Sequence, residues 1–151
     1  MCLVGQWQCQ VLGLGDTVDR GVNPGQMGDM LPAVDLGVGH TAVALTAGNN
    51  YMCALLDNGS VKCWGWNSFG QLGLWHKSDR GSSPGQMGDD LPAVPLGSGR
   101  TAVAVAAGAY HSCALLDNGG IKCWGIKKKG DATKAWIKEA GKMNHLKHIV
   151  P

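Results

Sequence analysis

The feature that most constrains this chain is a sequence that occurs twice, 60 residues apart. Residues 5–64 align with residues 65–124 without a gap, and 36 of the 60 aligned positions are identical. The longest identical block, residues 53–59, recurs as residues 113–119. Duplication at a fixed period is the signature of an architecture built from repeated units. The fold must therefore accommodate two copies of one unit.

Each copy shows a pattern typical of short β-strands. The first copy contains three short apolar runs bounded by glycines or turn residues, at residues 41–48, 51–56 and 60–65. The turn sequence of residues 57–59, Asp-Asn-Gly, joins the second run to the third and predicts a β-hairpin. Because side chains alternate along a strand, we expect Lys62 to point outward.

Long linkers rich in Gly, Pro, Asp and Ser, residues 13–39 and 73–99, separate the strand groups. Residues 32–36 and 92–96 could add a fourth strand, which Pro95 would confine to a sheet edge. Roughly four short strands per repeat are typical of a β-propeller blade. We therefore predict an all-β fold of tandem propeller blades with short antiparallel strands. Two blades leave apolar faces uncovered, so the isolated chain should be weakly stable or should associate.

Residues 63–74 and 107–125 resemble the repeat signature of the regulator of chromosome condensation family. In that signature Ala-Gly is followed after two residues by His, then by a hydrophobic hairpin and by Trp-Gly-x-Asn-x-x-Gly-Gln-Leu-Gly. The resemblance covers residues 5–125, and the first copy has Tyr51 where the family has His. It implies a seven-bladed β-propeller, of which this chain would supply about two blades.

The signature residues are expected to pack and shape the blades. We interpret His111 as a structural hydrogen-bonding group rather than a ligand or an acid–base group. Trp64 and Trp124 are interpreted as inter-blade packing rather than a platform for a sugar or a peptide, and Asn67 and Gln71 as turn-forming residues. The blade-packing set is Trp64, Gly65, Gly70, Gln71, Leu72, Gly73, Gly108, His111, Trp124 and Gly125.

Four cysteines form two pairs with the same spacing, Cys53 with Cys63 and Cys113 with Cys123. A three-residue hairpin loop would place Cys53 opposite Cys63 at a Cα separation of about 4.5 Å, which permits a disulfide. Reduced core cysteines and a metal site are the alternatives, although one pair per repeat does not supply four ligands. Disulfides favour a secreted or cell-surface parent protein, with a cytoplasmic location as the alternative.

Both ends of the chain diverge from the repeat, so we expect a piece of a longer parent or an imperfect gene model, with residues 1–125 forming the two repeats. Residues 126–151 carry seven lysines and two acids, a net charge of +5. This divergent tail could form a basic amphipathic helix that meets a membrane surface or an acidic partner. The sequence contains neither a signal peptide nor an apolar run long enough to span a membrane.

No catalytic constellation accompanies the repeats. The sequence lacks a nucleophile elbow, a phosphate loop and a zinc-protease motif, and the linker acids lack the spacing of a calcium loop. We expect no enzymatic activity, no cofactor, no metal and no nucleic-acid partner. The predicted function is a protein–protein interaction scaffold whose partner binds the linkers. Alternatives are part of a guanine-nucleotide exchange factor for a small GTPase, or the repeat segment of a ubiquitin ligase or another multidomain enzyme.

Overall fold

The computed structural model describes residues 12–126, which form two three-stranded antiparallel sheets with the strands in sequence order. The first sheet contains three strands: β1 (Ala42–Ala47), β2 (Tyr51–Leu56) and β3 (Val61–Gly65). The second sheet contains their repeat equivalents: β4 (Ala102–Ala107), β5 (His111–Leu116) and β6 (Ile121–Gly125). The predicted all-β fold with two tandem blades is confirmed.

The hairpins have the predicted register because their loops have the predicted length. In the first hairpin, the Leu56 N–H donates to the Ser60 carbonyl at 2.9 Å, which leaves three residues in the loop. The last of these, Gly59, has a φ of +78°, a conformation that side chains disfavour. Counting back from this loop, Cys53 pairs with Cys63 across β2 and β3.

The predicted fourth strands are wrong as regular strands, since the described structure has no strand at residues 32–36 or 92–96. Residues 92–96 nevertheless run along the outer edge of β3, where the Val94 N–H donates to the Val61 carbonyl at 2.7 Å. Two of these five residues are prolines, which have no N–H to donate. The segment therefore covers the edge without forming a continuous ladder.

Lys62 does not point into solvent, contrary to the prediction from strand alternation. The residue is 7% exposed, and its ammonium group donates to the carbonyls of Leu36 at 3.0 Å and Gly88 at 2.8 Å. The second linker covers the outer edge of β3, and Gly65 and Arg80 exchange backbone hydrogen bonds of 2.8 and 3.1 Å there. Strand alternation does not predict the burial of Lys62, because the surroundings of this strand are protein instead of water.

One apolar core joins the two sheets. The side chains that form it come from both repeats and from the second linker: Tyr51, Leu55, Leu56, Val61, Trp64, Leu72, Leu74, Leu91, Val94, Leu96, Val105 and Leu116. Each blade thus buries its apolar residues against the other, as expected of stacked repeats.

The divergent tail beyond residue 126, with its predicted basic helix, lies outside the described residues. Within the described part of the chain, no helix has the length and apolar character that crossing a membrane requires.

Candidate binding groove

A disulfide closes each hairpin, as the register permits. Cys53 is bonded to Cys63 with a Cα separation of 4.1 Å, and Cys113 to Cys123 with a separation of 4.0 Å. These bonds clamp β2 to β3 and β5 to β6. Their surroundings differ, because Cys53, Cys63 and Cys113 are buried whereas Cys123 is exposed.

We expect a reductant to cleave Cys113–Cys123 before Cys53–Cys63. An attacking thiolate or phosphine needs access to a sulfur atom, and only the second disulfide offers an exposed cysteine. In dilute native protein treated with a phosphine and then alkylated, peptide mapping should show labelling of the second pair roughly tenfold faster. Equal rates under native conditions would contradict this expectation, whereas equal rates in denaturant are the control.

Tyr51 lies at the centre of the seam between the blades. Its side chain is fully buried, and its hydroxyl lies 3.0 Å from the Gly108 carbonyl and also contacts the His111 carbonyl. The Ser112 hydroxyl oxygen lies 3.1 Å from the Tyr51 hydroxyl oxygen. In the sequence Tyr51 stood out only as a departure from the family signature, and Ser112 was not singled out. Together they tie β2 to β5.

Gln71 connects the loop after the first blade to the second blade. Its backbone carbonyl accepts hydrogen bonds from Trp124 Nε1 at 2.8 Å and from Ser112 Oγ at 2.9 Å. Its side-chain Oε1 accepts from the Phe69 N–H at 3.0 Å, which is the turn-forming contact that the sequence suggested. The residue therefore shapes a turn and also contacts the neighbouring blade.

The other signature residues lie in the core, at strand ends or in the flanking turns. Trp64 is buried, and Trp124 is partly exposed with its indole against Gly73, where a β-carbon would lie 2.8 Å from Nε1. Leu72 belongs to the core. The rest are at strand ends or in flanking turns: Gly65, Gly70, Gly108, His111 and Gly125.

An aromatic cluster beside the seam was not anticipated. Trp66, Phe69 and Tyr110 pack edge to face, with ring centroids 5.2 to 5.8 Å apart. The sequence feature that could have indicated this cluster is the presence of two aromatic residues, Trp66 and Phe69, in an otherwise polar turn.

The outer edges of the two blades have nearly the same sequence and opposite burial. β3 is buried along its whole length, with Val61 0% exposed, whereas Ile121 of β6 is 47% exposed. Residues 80–96 cover the edge of β3. Among the described residues, no corresponding segment covers β6. Within residues 12–126, the second blade thus presents an open sheet edge, and such an edge is a template for pairing with another chain.

A cavity of about 420 Å³ with largely apolar walls lies beside this edge, and we call it the β6 groove. Its walls include Trp75, Val94, Pro95, Lys122 and Trp124. The Trp75 side chain is 91% exposed on a backbone with a φ of +63°, a conformation that is uncommon for residues other than glycine. The loop therefore presents an indole ring to solvent.

The β6 groove offers groups that an extended peptide could contact. The open edge offers backbone N–H and C=O groups, the indole rings offer apolar contact, and the Lys122 ammonium group can donate to a carbonyl. In the described part of the chain, no three His, Cys, Asp or Glu side chains are grouped so that they could hold a metal ion.

Local bonds order the first linker. The Val18 N–H donates to Asp16 Oδ1 at 2.9 Å, and Arg20 forms an ion pair with the same carboxylate at 2.6 Å. The Val18 hydrogen bond, and after it the Arg20 contact, hold the pKa of Asp16 below its ordinary value. This carboxylate keeps its charge, and its contacts, at neutral pH.

The chain matches a family model described as "Regulator of chromosome condensation (RCC1) repeat" at residues 42–71 and 102–130. A second model of the same repeat matches residues 58–115, and together the matches span more than half of the chain.

Curated relatives share the repeat but are much longer. The human probable E3 ubiquitin-protein ligase HERC3 is 34% identical over 107 residues, which is 71% of this chain and 10% of the ligase. The protein RCC2 homolog of Xenopus laevis is 35% identical over 92 residues, which is 61% of this chain and 16% of the relative. This chain therefore corresponds to a small part of each relative.

Two solved structures share the fold. Human WBSCR16 matches with a TM-score of 0.51 and 24% identity, covering 76% of this chain and 27% of that protein. Prp20p from Saccharomyces cerevisiae, whose binding to Gsp1p and histones has been studied, matches with a TM-score of 0.51 and 23% identity, covering 82% and 27%.

Proposed function

Because this chain belongs to the regulator of chromosome condensation (RCC1) repeat family, we propose that it is a non-catalytic protein–protein interaction scaffold that binds its partner in the β6 groove. One observation carries the proposal. The edge of β6 is exposed, although the corresponding edge of β3 is covered by a polypeptide segment. A partner segment in the β6 groove would supply the cover that β6 lacks within the described part of the chain.

The unit that carries the groove is suited to binding without rearrangement. Two disulfides clamp the hairpins, and a shared core holds the blades together. A preorganised surface loses little conformational entropy when a partner binds. Trp75 and Trp124 are the expected anchors, since the few residues that dominate binding energy at interfaces are enriched in tryptophan.

Two narrower functions stay predictions. HERC3 is named as a probable ligase, but this chain spans only 10% of its length, so ligase activity is stated of the relative alone. One alternative for this chain is that it forms the repeat segment of such an enzyme. Regulation of a small GTPase is the other alternative, suggested by the fold shared with Prp20p.

A displayed peptide library panned against the full chain tests the proposal. We expect selected peptides to bind the wild type and to lose roughly tenfold or more in affinity for the Trp75→Ala variant. The control is Met30→Ala, which removes another exposed apolar side chain at a position outside the groove. If no peptide is selected, or if both variants bind equally well, the groove is not the binding site.

The GTPase alternative has a separate test. The full chain is titrated with Gsp1p freed of nucleotide by EDTA and with Gsp1p loaded with GDP. Binding only to the nucleotide-free form would support a role in nucleotide exchange, and absence of binding to both would contradict a role acting on this GTPase.

A further inference from the structure

We propose that the β6 groove binds residues 20–36 of a second copy of this chain, so that copies associate head to tail. The inference rests on the proposed function, because it names the segment that the groove holds. We call residues 20–36 the first docking segment and residues 80–96 the second docking segment. They are identical at 13 of 17 positions.

The first blade shows how a docking segment binds a blade edge. The second docking segment lies along β3, with the Val94 N–H donating to the Val61 carbonyl at 2.7 Å. The Lys62 ammonium group reaches across to the Gly88 carbonyl at 2.8 Å. Met87 of the segment packs against the core. These contacts are the template for the proposed interface.

The first docking segment has the same local shape as the second. Gln26 Oε1 accepts hydrogen bonds from the N–H groups of Val22 and Asn23, both at 2.9 Å. Gln86 makes the equivalent contacts in the second segment, at 3.0 and 3.1 Å. A short 3₁₀ helix follows in both, at Gly28–Met30 and at Gly88–Asp90. The segment is therefore already folded for docking.

The first docking segment also exposes a methionine whose equivalent in the second docking segment is packed against the core. Met27 is 59% exposed, whereas its equivalent Met87 packs against the core. Among the described residues, no earlier blade stands where the first docking segment would bind. The surface that recognises a blade edge is thus present a second time, with Met27 exposed, whereas the Leu36 carbonyl at its end accepts from Lys62 of the same chain.

The β6 edge of the second blade is arranged in the same way as the β3 edge of the first blade. A β-carbon at Gly97 would lie 3.1 Å from Lys122 Nζ, and one at Gly37 would lie 3.2 Å from Lys62 Nζ. The two ammonium groups therefore occupy equivalent positions. By that equivalence, Lys122 is placed to donate to the Gly28 carbonyl of a second copy.

Two side chains that differ between the repeats would also meet at the proposed interface. In the first blade, the Gly15 N–H donates to the Gly81 carbonyl at 3.1 Å, beside the polar Ser82. The equivalent of Gly15 is Trp75, and the equivalent of Ser82 is Val22. The second copy would therefore bring an apolar side chain to the exposed indole. Such a match favours the first docking segment over an arbitrary peptide.

The proposed contact is head to tail. By the repeat equivalence, one copy uses its first docking segment and the other uses its β6 edge, and these are different surfaces. An interface between unlike surfaces leaves one of each free, and further copies can add.

Sedimentation velocity of the full chain and two variants tests this arrangement. We expect the wild-type mass to exceed the 15.8 kDa of one chain and to rise with concentration. Met27→Asp should disable the docking segment, and Lys122→Glu should disable the groove, so each variant alone should sediment as a monomer. An equimolar mixture should form a dimer and stop there, because one intact surface of each kind remains.

Met30→Asp is the matched control, since the second docking segment carries Asp90 at the equivalent position and still binds its blade. This variant should associate like the wild type, while Met27→Asp should weaken association roughly tenfold or more. Circular dichroism of each variant confirms folding.

Three outcomes would overturn the inference: a wild type that is monomeric throughout, as expected if residues 127–151 cover β6; single variants that still associate; or a mixture that stays monomeric. If library peptides still bind the β6 groove in a monomeric wild type, the proposed function stands and only self-association fails. Loss of both kinds of binding removes both.

Discussion

The Gly65→Ala variant should be far less stable than the Gly70→Ala variant, although both replace a glycine with positive φ. Gly65 has a φ of +107°, and a β-carbon there would lie 2.5 Å from the Asn50 carbonyl oxygen and 2.6 Å from the Tyr51 Cα atom. These are backbone atoms, which cannot move without displacing the start of β2. We expect a loss of roughly 4 kcal/mol or more in the free energy of unfolding.

Gly70→Ala isolates the part of this cost that comes from the backbone conformation alone. Gly70 has a φ of +73°, and a β-carbon there would have no other atom within 4 Å. The substitution should cost about 1 kcal/mol. Urea unfolding followed by fluorescence, at low protein concentration, gives both values. Similar losses for the two variants would show that close packing at Gly65 does not govern stability.

Lys62→Met should destabilise the chain by roughly 2–4 kcal/mol, because it leaves the carbonyls of Leu36 and Gly88 without their charged donor. Methionine is also unbranched and apolar, so the packing of the aliphatic stem is largely kept. Release of the second docking segment should follow, and hydrogen exchange should report lost protection at the Val94 N–H.

Lys122→Met is the control with the same substitution in the same strand context. Lys122 is exposed, and the change should alter the stability of the dilute monomer by no more than about 0.5 kcal/mol. Thermal unfolding of both variants measures the difference. Equal losses in the two blades would contradict the structural role assigned to Lys62.

The hairpins and their disulfides could be derived from the sequence because their determinants are local. Residues 57–59 set the loop length, the loop length sets the pairing of β2 with β3, and that pairing brings Cys53 and Cys63 together. The same reasoning applied without change to the second copy. Each step involves only the residues of one hairpin, that is, a turn and the two strands that flank it.

The errors arose where contacts join residues far apart along the chain. Lys62 was expected outside because nothing near it in sequence indicates that residues 80–96 cover its strand. Tyr51 was noted only as a departure from the signature, although its hydroxyl bridges to Gly108 and Ser112 in the other blade. The contribution of such residues depends on which surface of the neighbouring repeat reaches them.

The repeat, the strands and the covalent pairing follow from patterns within each 60-residue copy. The burial of a strand does not follow from these patterns, as β3 and β6 show. The two strands differ in sequence only at Val61 and Ile121, yet β3 is wholly buried and β6 is mostly exposed. Exposure is a property of what lies alongside a strand. Within residues 12–126, the second docking segment covers the edge of β3, and no equivalent segment covers the edge of β6.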